Sequence, residues 1–140
     1  MQHPNGVGLS PDERTLFVSE TQTSRVWAFD ITATGRVAKK RDYHNGGALL
    51  AGLPGFELID SMALDSAGNV CVANPYRGAI VVISAAGQVL RYVEMPDRPP
   101  TNICFGGPDL KTAYVTLCQK GTLARLAWSV PGLPLNFLNM

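Results

Sequence analysis

The fold is decided by residues 61–93, which read SMALDSAGNVCVANPYRGAIVVISAAGQVLRYV. This stretch contains four short runs of β-prone residues, separated by turn signals such as Ala67-Gly68 and Arg77-Gly78. Short runs of this composition between tight turns are typical of strands. We therefore predict four antiparallel strands, at residues 61–66, 69–73, 79–83 and 88–93.

Two further copies of this pattern flank the stretch. They occupy residues 6–30 and 102–128, and aligning Leu9, Leu64 and Phe105 gives offsets of 55 and 41 residues. A four-stranded blade of a β-propeller takes roughly 40–45 residues. The longer offset is one blade plus an insertion, because glycine and proline crowd between residues 43 and 58. The sequence thus predicts an all-β fold, a β-propeller of about three four-stranded blades.

The predicted domain is one partial propeller over residues 1–140, with blades at about 4–43, 59–95 and 101–130 and a surface loop at 43–58. The basic cluster Lys39-Lys40-Arg41 is interpreted as a charged outer edge strand, with a binding patch as the alternative. Propellers close with about four to eight blades, so three blades leave two sheet faces uncovered. We expect either a truncated chain, missing the N-terminal blades of a longer protein, or self-association of two copies that closes a ring.

Composition and charge exclude several classes of function. Hydrophobic residues make up 46% of the chain, and no apolar run reaches the ~18 residues of a membrane span. Twelve basic and eleven acidic residues give a net charge of +1, so no long-range field attracts nucleic acid or acidic lipid. The sequence predicts no nucleic-acid or membrane partner. Its first residues show no signal peptide, which makes a cytoplasmic location the default expectation.

Cysteine and tryptophan residues are interpreted as packing residues. Cys71, Cys104 and Cys118 form no Cys-x-x-Cys pair, so neither a disulfide scaffold nor a zinc ribbon is indicated. We expect all three to be small buried hydrophobes. Trp27 and Trp128 fall in third-strand positions and are expected to pack between blades.

Oxygen-bearing side chains share one position of the repeat. Asn5, Asp60 and Thr101 each lie four residues before an aligned inner-strand residue, and Asn102 follows the last of them. Because the first strand of each blade lines the channel, these positions should converge at one mouth. An amide oxygen and a carboxylate suit a hard divalent cation, calcium above all. Taken singly, Asn5 also fits a tight turn and Asp60 a cap at the start of a strand; the shared register favours metal ligands.

Other polar residues give weaker indications. His3 and His44 could face the channel mouth, but solvent-exposed histidines are the simpler interpretation. Three aspartates follow the inner strands and are explained by turn chemistry: Asp12, Asp65 and Asp109. The sequence has no Gly-rich phosphate loop, nucleophile elbow or His-Glu-x-x-His motif.

Residues 4–12, 60–68 and 101–116 resemble the senescence marker protein/gluconolactonase/luciferin-regenerating enzyme family, and residues 131–135 resemble its C-terminus. The most specific block is Phe105-Gly106-Gly107-Pro108-Asp109. The resemblance covers nearly the whole chain and about the later half of the family domain. It implies a six-bladed propeller that holds one divalent metal ion, calcium or zinc depending on the member, and hydrolyses sugar lactones or related esters.

The resemblance also implies two metal ligands. The Asn of the family's Asn-Gly motif matches Asn5, and the Asp of its Pro-Asp-Gly motif matches Asp60, where this sequence reads Ile59-Asp60-Ser61. The family's glutamate ligand and its substrate-contacting arginine and asparagine belong to earlier blades. We therefore expect the 140 residues alone to bind an ion weakly and to show little turnover.

The functional hypothesis is metal-dependent hydrolysis of a sugar lactone or related ester. A divalent ion, Ca²⁺ with Zn²⁺ or Mg²⁺ as alternatives, would polarise the carbonyl and activate the attacking water. Asp60 would be both a ligand and the catalytic proton acceptor, and Asn5 would be a neutral ligand. The alternative is a non-catalytic propeller segment, a binding or scaffold module in which Asn5 and Asp60 only form turns.

Overall fold

The computed structural model describes residues 1–42 and 57–136. In these residues the chain forms eleven strands in three antiparallel sheets, together with a short 3-10 turn at Thr21–Thr23. No helix among them is long and apolar enough to cross a membrane. The loop predicted at 43–58, apart from its last two residues, lies outside the described residues, and so does His44.

The three sheets follow one another along the chain. The first has the order β1-β2-β3-β4, with β1 at Pro4–Leu9, β2 at Thr15–Glu20, β3 at Arg25–Ala33 and β4 at Arg36–Asp42. The second has the order β5-β6-β7-β8, with β5 at Met62–Leu64, β6 at Val70–Asn74, β7 at Ala79–Ile83 and β8 at Val89–Glu94. The third contains β9 at Pro100–Gly106, β10 at Thr112–Leu117 and β11 at Thr122–Ala127. The basic cluster at 39–41 thus lies in β4, an outer edge strand as predicted.

The middle sheet is covered on both faces. In β7, Val81 and Ile83 pack against the first sheet, whereas Ile80 and Val82 pack against the third. The same alternation divides β6 between two hydrophobic clusters. A strand buried on both sides needs apolar residues at every position, which explains the unbroken run at residues 79–83.

The first strands of the three sheets, β1, β5 and β9, lie side by side. Three antiparallel sheets packed face to face, with adjacent inner strands, are consecutive blades of a propeller. The described chain is therefore all-β and forms part of a β-propeller, and the predicted fold class is confirmed. Within the described residues these sheets do not close into a ring.

The third sheet differs from the four-stranded blade predicted for it, since its described residues form three strands. After β11 the chain turns back to the second sheet, where Gly132 pairs with Asp65. The Leu133 N–H donates to the Leu64 carbonyl at 2.9 Å, and the Ser66 N–H donates to the Pro131 carbonyl at 2.8 Å. These hydrogen bonds hold the segment after β11 against the start of the second sheet instead of beside β11.

The prediction that all three cysteines are buried is wrong for two of them. Cys71 is fully buried in β6, but Cys104 and Cys118 are exposed, because Cys104 lies on the uncovered face of β9 and Cys118 lies in the turn after β10. Burial raises the pKa of the Cys71 thiol far above its usual range. Trp128 packs between the second and third sheets beside Phe105, as predicted, whereas Trp27 is only half-buried and its indole N–H donates to the Glu20 carboxylate.

Candidate functional site

The candidate site lies where the three inner strands begin. Ser61 is its centre: its hydroxyl donates to the Asn5 side-chain oxygen at 3.0 Å, and its backbone N–H donates to the Thr101 carbonyl at 3.2 Å. Asp60 directly precedes Ser61 in the chain. The three residues that share the repeat position are thus brought to one place. Their role as metal ligands stays a prediction.

Backbone hydrogen bonds to β6 fix the position of Asp60. Its N–H donates to the Ala73 carbonyl at 2.9 Å, and the Ala73 N–H donates to the Ser61 carbonyl at 2.9 Å. The preceding Ile59 is fully buried in the core between the first and second sheets. Asp60 itself is half-buried, so a well-anchored backbone presents this carboxyl at the edge of the core.

Asn5 is exposed, and its side-chain amide lies between two hydroxyls. Its Nδ2 donates to Thr21 Oγ1 at 3.4 Å, while its Oδ1 accepts the bond from Ser61. This orientation turns the amide oxygen toward the second sheet. An oxygen donor from the first sheet therefore lies next to the segment that carries Asp60.

Gly6 allows the first two inner strands to approach this closely. A Cβ at this position would lie 2.6 Å from the Met62 backbone nitrogen, which is less than real contacts allow. Gly6 lies in β1. The glycine of the Asn-Gly motif is thus needed because the backbone at the start of β5 passes directly beside it. The interpretation of Asn5 as a turn residue is therefore wrong, because Asn5 and Gly6 both lie within strand β1.

Sequence reasoning missed the residue that joins the two halves of the site. Ser19, in β2, is fully buried; its Oγ accepts the Gly6 N–H at 2.7 Å and donates to the Asp60 carbonyl at 2.7 Å. The only sequence signal is a serine within the strand Thr15–Glu20, after two buried apolar residues. That signal is weak, because serine is common at strand ends.

A second buried polar group that sequence reasoning missed lies just before Asp60. The Glu57 carboxylate accepts the Asn74 Nδ2 hydrogen bond at 2.8 Å and lies 3.5 Å from an Arg77 guanidinium nitrogen. Glu57 is 7% exposed and Asn74 is 0% exposed. This network ties the segment before Asp60 to the turn after β6. Glu57 follows a stretch rich in turn residues, where no pattern indicated a buried carboxylate.

The third inner strand contributes mainly its backbone to the site. The Thr101 hydroxyl lies 2.8 Å from that of Thr116, and Asn102 Oδ1 accepts its neighbour's backbone N–H at 2.8 Å. Both side chains are thus engaged within their own sheet.

The other polar residues considered in the sequence analysis, where they are described, lie in the places expected for them. His3 is exposed, as expected. Asp12, Asp65 and Asp109 each accept backbone N–H bonds from residues two positions ahead, which confirms their role in turns. Two neighbouring hydrogen bonds, from Ser10 and from the Arg14 N–H, lower the pKa of Asp12.

The candidate ligands fit a hard divalent cation in type, because the atoms of Asn5 and Asp60 that could bind a cation are oxygens. Among residues 1–42 and 57–136, no three His, Cys, Asp or Glu side chains lie close enough together to hold a metal ion. The described residues therefore offer two candidate ligands, an amide and a carboxylate, from two sheets.

A groove of about 710 Å³ runs along the inner strands below these residues. It is mainly apolar and is lined by β1, β5 and β9 together with residues 133–136; the lining includes Val7, Leu9, Met62, Leu64, Ile103 and Phe105. A polar mouth above an apolar wall is a common arrangement for binding small molecules.

The sequence matches the family model described as the SMP-30/Gluconolactonase/LRE-like region over residues 1–119. The chain belongs to this family. Its relatives include pentonolactonase XacC of Haloferax volcanii, 31% identical over 81% of this chain and 37% of that protein. Another is 6-deoxy-6-sulfogluconolactonase of Pseudomonas putida, 32% identical over 86% of this chain and 40% of that protein.

Solved structures agree with the SMP-30/gluconolactonase assignment at the level of the fold. The calcium-binding protein regucalcin of Agrobacterium tumefaciens superposes with a TM-score of 0.77 over 94% of this chain and 50% of its own, at 24% identity. The chain spans about two fifths of the length of the two curated relatives above. The activity of the whole protein is therefore proposed below and not taken from them.

Proposed function

We propose that this chain is part of a hydrolase of sugar lactones or related esters, to which it supplies Asn5 and Asp60 as ligands of one divalent metal ion. The observation that carries the proposal is the hydrogen bond from Ser61 to Asn5 Oδ1, 3.0 Å, which holds Asn5 of the first sheet beside the residue that follows Asp60 in the second. Two relatives above 30% identity are named as sugar lactonases, which supports the substrate class.

The proposed ion is Ca²⁺, with Zn²⁺ or Mg²⁺ as alternatives, because oxygen ligands of mixed type in an irregular site suit calcium. When bound, such an ion polarises a carbonyl oxygen and acidifies a water molecule. Asn5 would supply a neutral oxygen, which leaves the charge of the ion largely uncompensated. Asp60 would supply a carboxylate that both binds the ion and takes the proton from the attacking water.

The proposal needs ligands beyond the described residues, since two protein oxygens fall short of the six to eight that calcium takes. We propose that further propeller blades supply them, either from a longer protein that contains this chain or from a second copy. The sugar lactone would bind at the mouth, above the apolar groove of the inner strands.

The test is hydrolysis of glucono-δ-lactone and a pentonolactone by the complete propeller that contains these residues. We expect EDTA to abolish hydrolysis and Ca²⁺ to restore it. Asp60→Asn should lower kcat/KM by about 100-fold or more, because it removes the proton acceptor. Asp109→Asn is the matched control, since this exposed carboxylate only caps a turn through the Lys111 N–H.

Equal activity of Asp60→Asn and the wild type would contradict the role of Asp60. Activity that survives EDTA would contradict the metal centre. If the complete propeller neither hydrolyses lactones nor binds a divalent ion, the alternative of a non-catalytic binding or scaffold module is supported instead.

A further inference from the structure

Ser19 provides a single buried hydroxyl that links the two halves of the candidate site. It accepts the Gly6 N–H at 2.7 Å and donates to the Asp60 carbonyl at 2.7 Å, while the Gly6 carbonyl is farther away at 3.4 Å. Gly6 directly follows Asn5 in the chain. One oxygen atom therefore connects the backbone beside Asn5 with the backbone of Asp60.

This connection compensates for an irregularity in β1. The pairing of β1 with β2 is regular from Val7 to Leu9 but shifts register between Pro4 and Val7. Within the shifted segment, the Gly6 N–H is bonded to the Ser19 side chain. Such irregularities are frequent next to active sites, where they redirect a side chain. Here the irregular segment carries Asn5.

The propeller fold itself does not require a hydroxyl at this place. In the middle sheet the residue equivalent to Ser19 is Ala73 of β6. Ala73 is fully buried and forms its hydrogen bonds to Asp60 and Ser61 through its backbone. A buried hydroxyl without partners destabilises the folded state, so it persists where its hydrogen bonds are made. The third sheet has Thr116 at the equivalent position, but this side chain is exposed and its hydroxyl lies 2.8 Å from that of Thr101 in the same sheet. A buried hydroxyl that bridges two sheets is therefore a feature of the first sheet.

We propose that Ser19 is a positioning residue for the two proposed metal ligands, and that its hydroxyl sets the separation of Asn5 and Asp60. This inference rests on the proposed function, because it assigns these two residues as ligands. Loss of the hydroxyl would leave the Gly6 N–H and the Asp60 carbonyl without this shared partner. The irregular part of β1 would then move relative to Asp60, and the two oxygens would no longer fit one ion.

The experiment records NMR spectra of the ¹⁵N-labelled 140-residue chain, first without metal and then during a titration with CaCl₂. The variants are Ser19→Ala, Ser19→Cys and Ser10→Ala. Cysteine retains the size of the side chain but is a weak hydrogen-bonding group. Ser10 is the matched control: its Oγ accepts the Thr15 N–H at 2.9 Å and donates to Asp12 at 2.6 Å, at the opposite end of the same strand pair.

In the wild type we expect CaCl₂ to shift the Asn5 side-chain amide and the Ser61 backbone amide. Ser19→Ala and Ser19→Cys should each raise the apparent Kd about 10-fold or more, in line with the loss of other outer-shell partners of metal ligands. Without metal, the same two variants should lose the nuclear Overhauser contacts between the Asn5 side chain and Ser61, and the Gly6 amide should exchange faster. Ser10→Ala should leave all three measurements unchanged.

An unchanged Kd in both Ser19 variants would overturn the proposal, and so would an equal loss of affinity in Ser10→Ala. If the wild type shows no calcium-dependent shifts, Asn5 and Asp60 do not hold an ion without the ligands of further blades, and the metal-free measurement alone decides about Ser19. Contacts between Asn5 and Ser61 that persist in both Ser19 variants would then contradict the positioning role. If Ser19→Ala does not fold, Ser19→Cys carries the same comparison.

Discussion

Gly6 shows at the scale of one residue how the candidate ligands come together. Its missing side chain lets β1 pass against the backbone of Met62, with 2.6 Å between the site of a Cβ and the Met62 nitrogen. Gly8, two residues later, faces the end of the Leu64 side chain at 2.5 Å. The first neighbour is a rigid backbone, whereas the second is a flexible side chain that can rotate away.

We predict that Gly6→Ala separates the two inner strands and that Gly8→Ala does not. Gly6→Ala should destabilise the fold by about 1–3 kcal/mol, since a packed backbone has to move. It should also abolish the contact between Asn5 and Ser61. Gly8→Ala should cost clearly less, because only Leu64 changes its rotamer. Urea denaturation of both variants measures the difference, and equal destabilisation would contradict the argument.

The site could be predicted in part, because Asn5 and Asp60 share a repeat position that a single sequence reveals. Ser61 and Ser19 were missed, since their partners lie 41 to 56 residues away and no pattern links them. The same limit applies to the cysteines. A repeat places Cys104 in an inner strand, but exposure depends on which face of the third sheet is covered.

At the scale of an element, the segment before β5 is held by the buried network of Glu57. Its carboxylate bonds Asn74 and faces Arg77, whose guanidinium carbon lies 4.2 Å from the centre of the Tyr92 ring. Burial raises the pKa of Tyr92, the Arg77 charge opposes this, and the Glu57 charge adds to it. The network therefore couples the start of β5 to the outer strand β8.

We predict different effects for two substitutions of Glu57. Glu57→Ala leaves the fully buried Asn74 amide without this partner, and should destabilise the chain by about 1–3 kcal/mol. Glu57→Gln keeps an acceptor for Asn74 and should cost less. Because it removes a negative charge, Glu57→Gln should also lower the pKa of Tyr92, measured from its ¹³Cζ shift across a pH titration. An unchanged or raised Tyr92 pKa would contradict the coupling.

Most strands could be predicted from the sequence, since each short apolar run ends at a turn signal that the structure uses. Gly68 and Gly78, for example, adopt φ values of +78° and +79° in the turns of the middle sheet. The path after β11 could not be predicted in this way. It depends on hydrogen bonds from residues 131–133 to the second sheet, which is distant in sequence.

At the scale of the whole molecule, stability depends on a middle sheet that is packed on both faces. Its two hydrophobic clusters are separate, one shared with the first sheet and one with the third. Ile83 belongs to the former and Ile80 to the latter, and both are 0% exposed in the same strand β7. The strand therefore connects both interfaces between blades.

We predict that Ile80→Ala and Ile83→Ala destabilise the chain to a similar extent, by about 2–5 kcal/mol each, because each opens a cavity in one of the two interfaces. Leu123→Ala is the control; this side chain is 63% exposed in β11, and its loss should change stability by no more than about 0.5 kcal/mol. If the middle sheet couples its neighbours, each isoleucine variant should still unfold in one transition, with fluorescence and circular dichroism reporting the same midpoint. A variant in which one outer sheet melts at lower urea than the rest would show that each blade interface forms independently, and the middle sheet would then only join them.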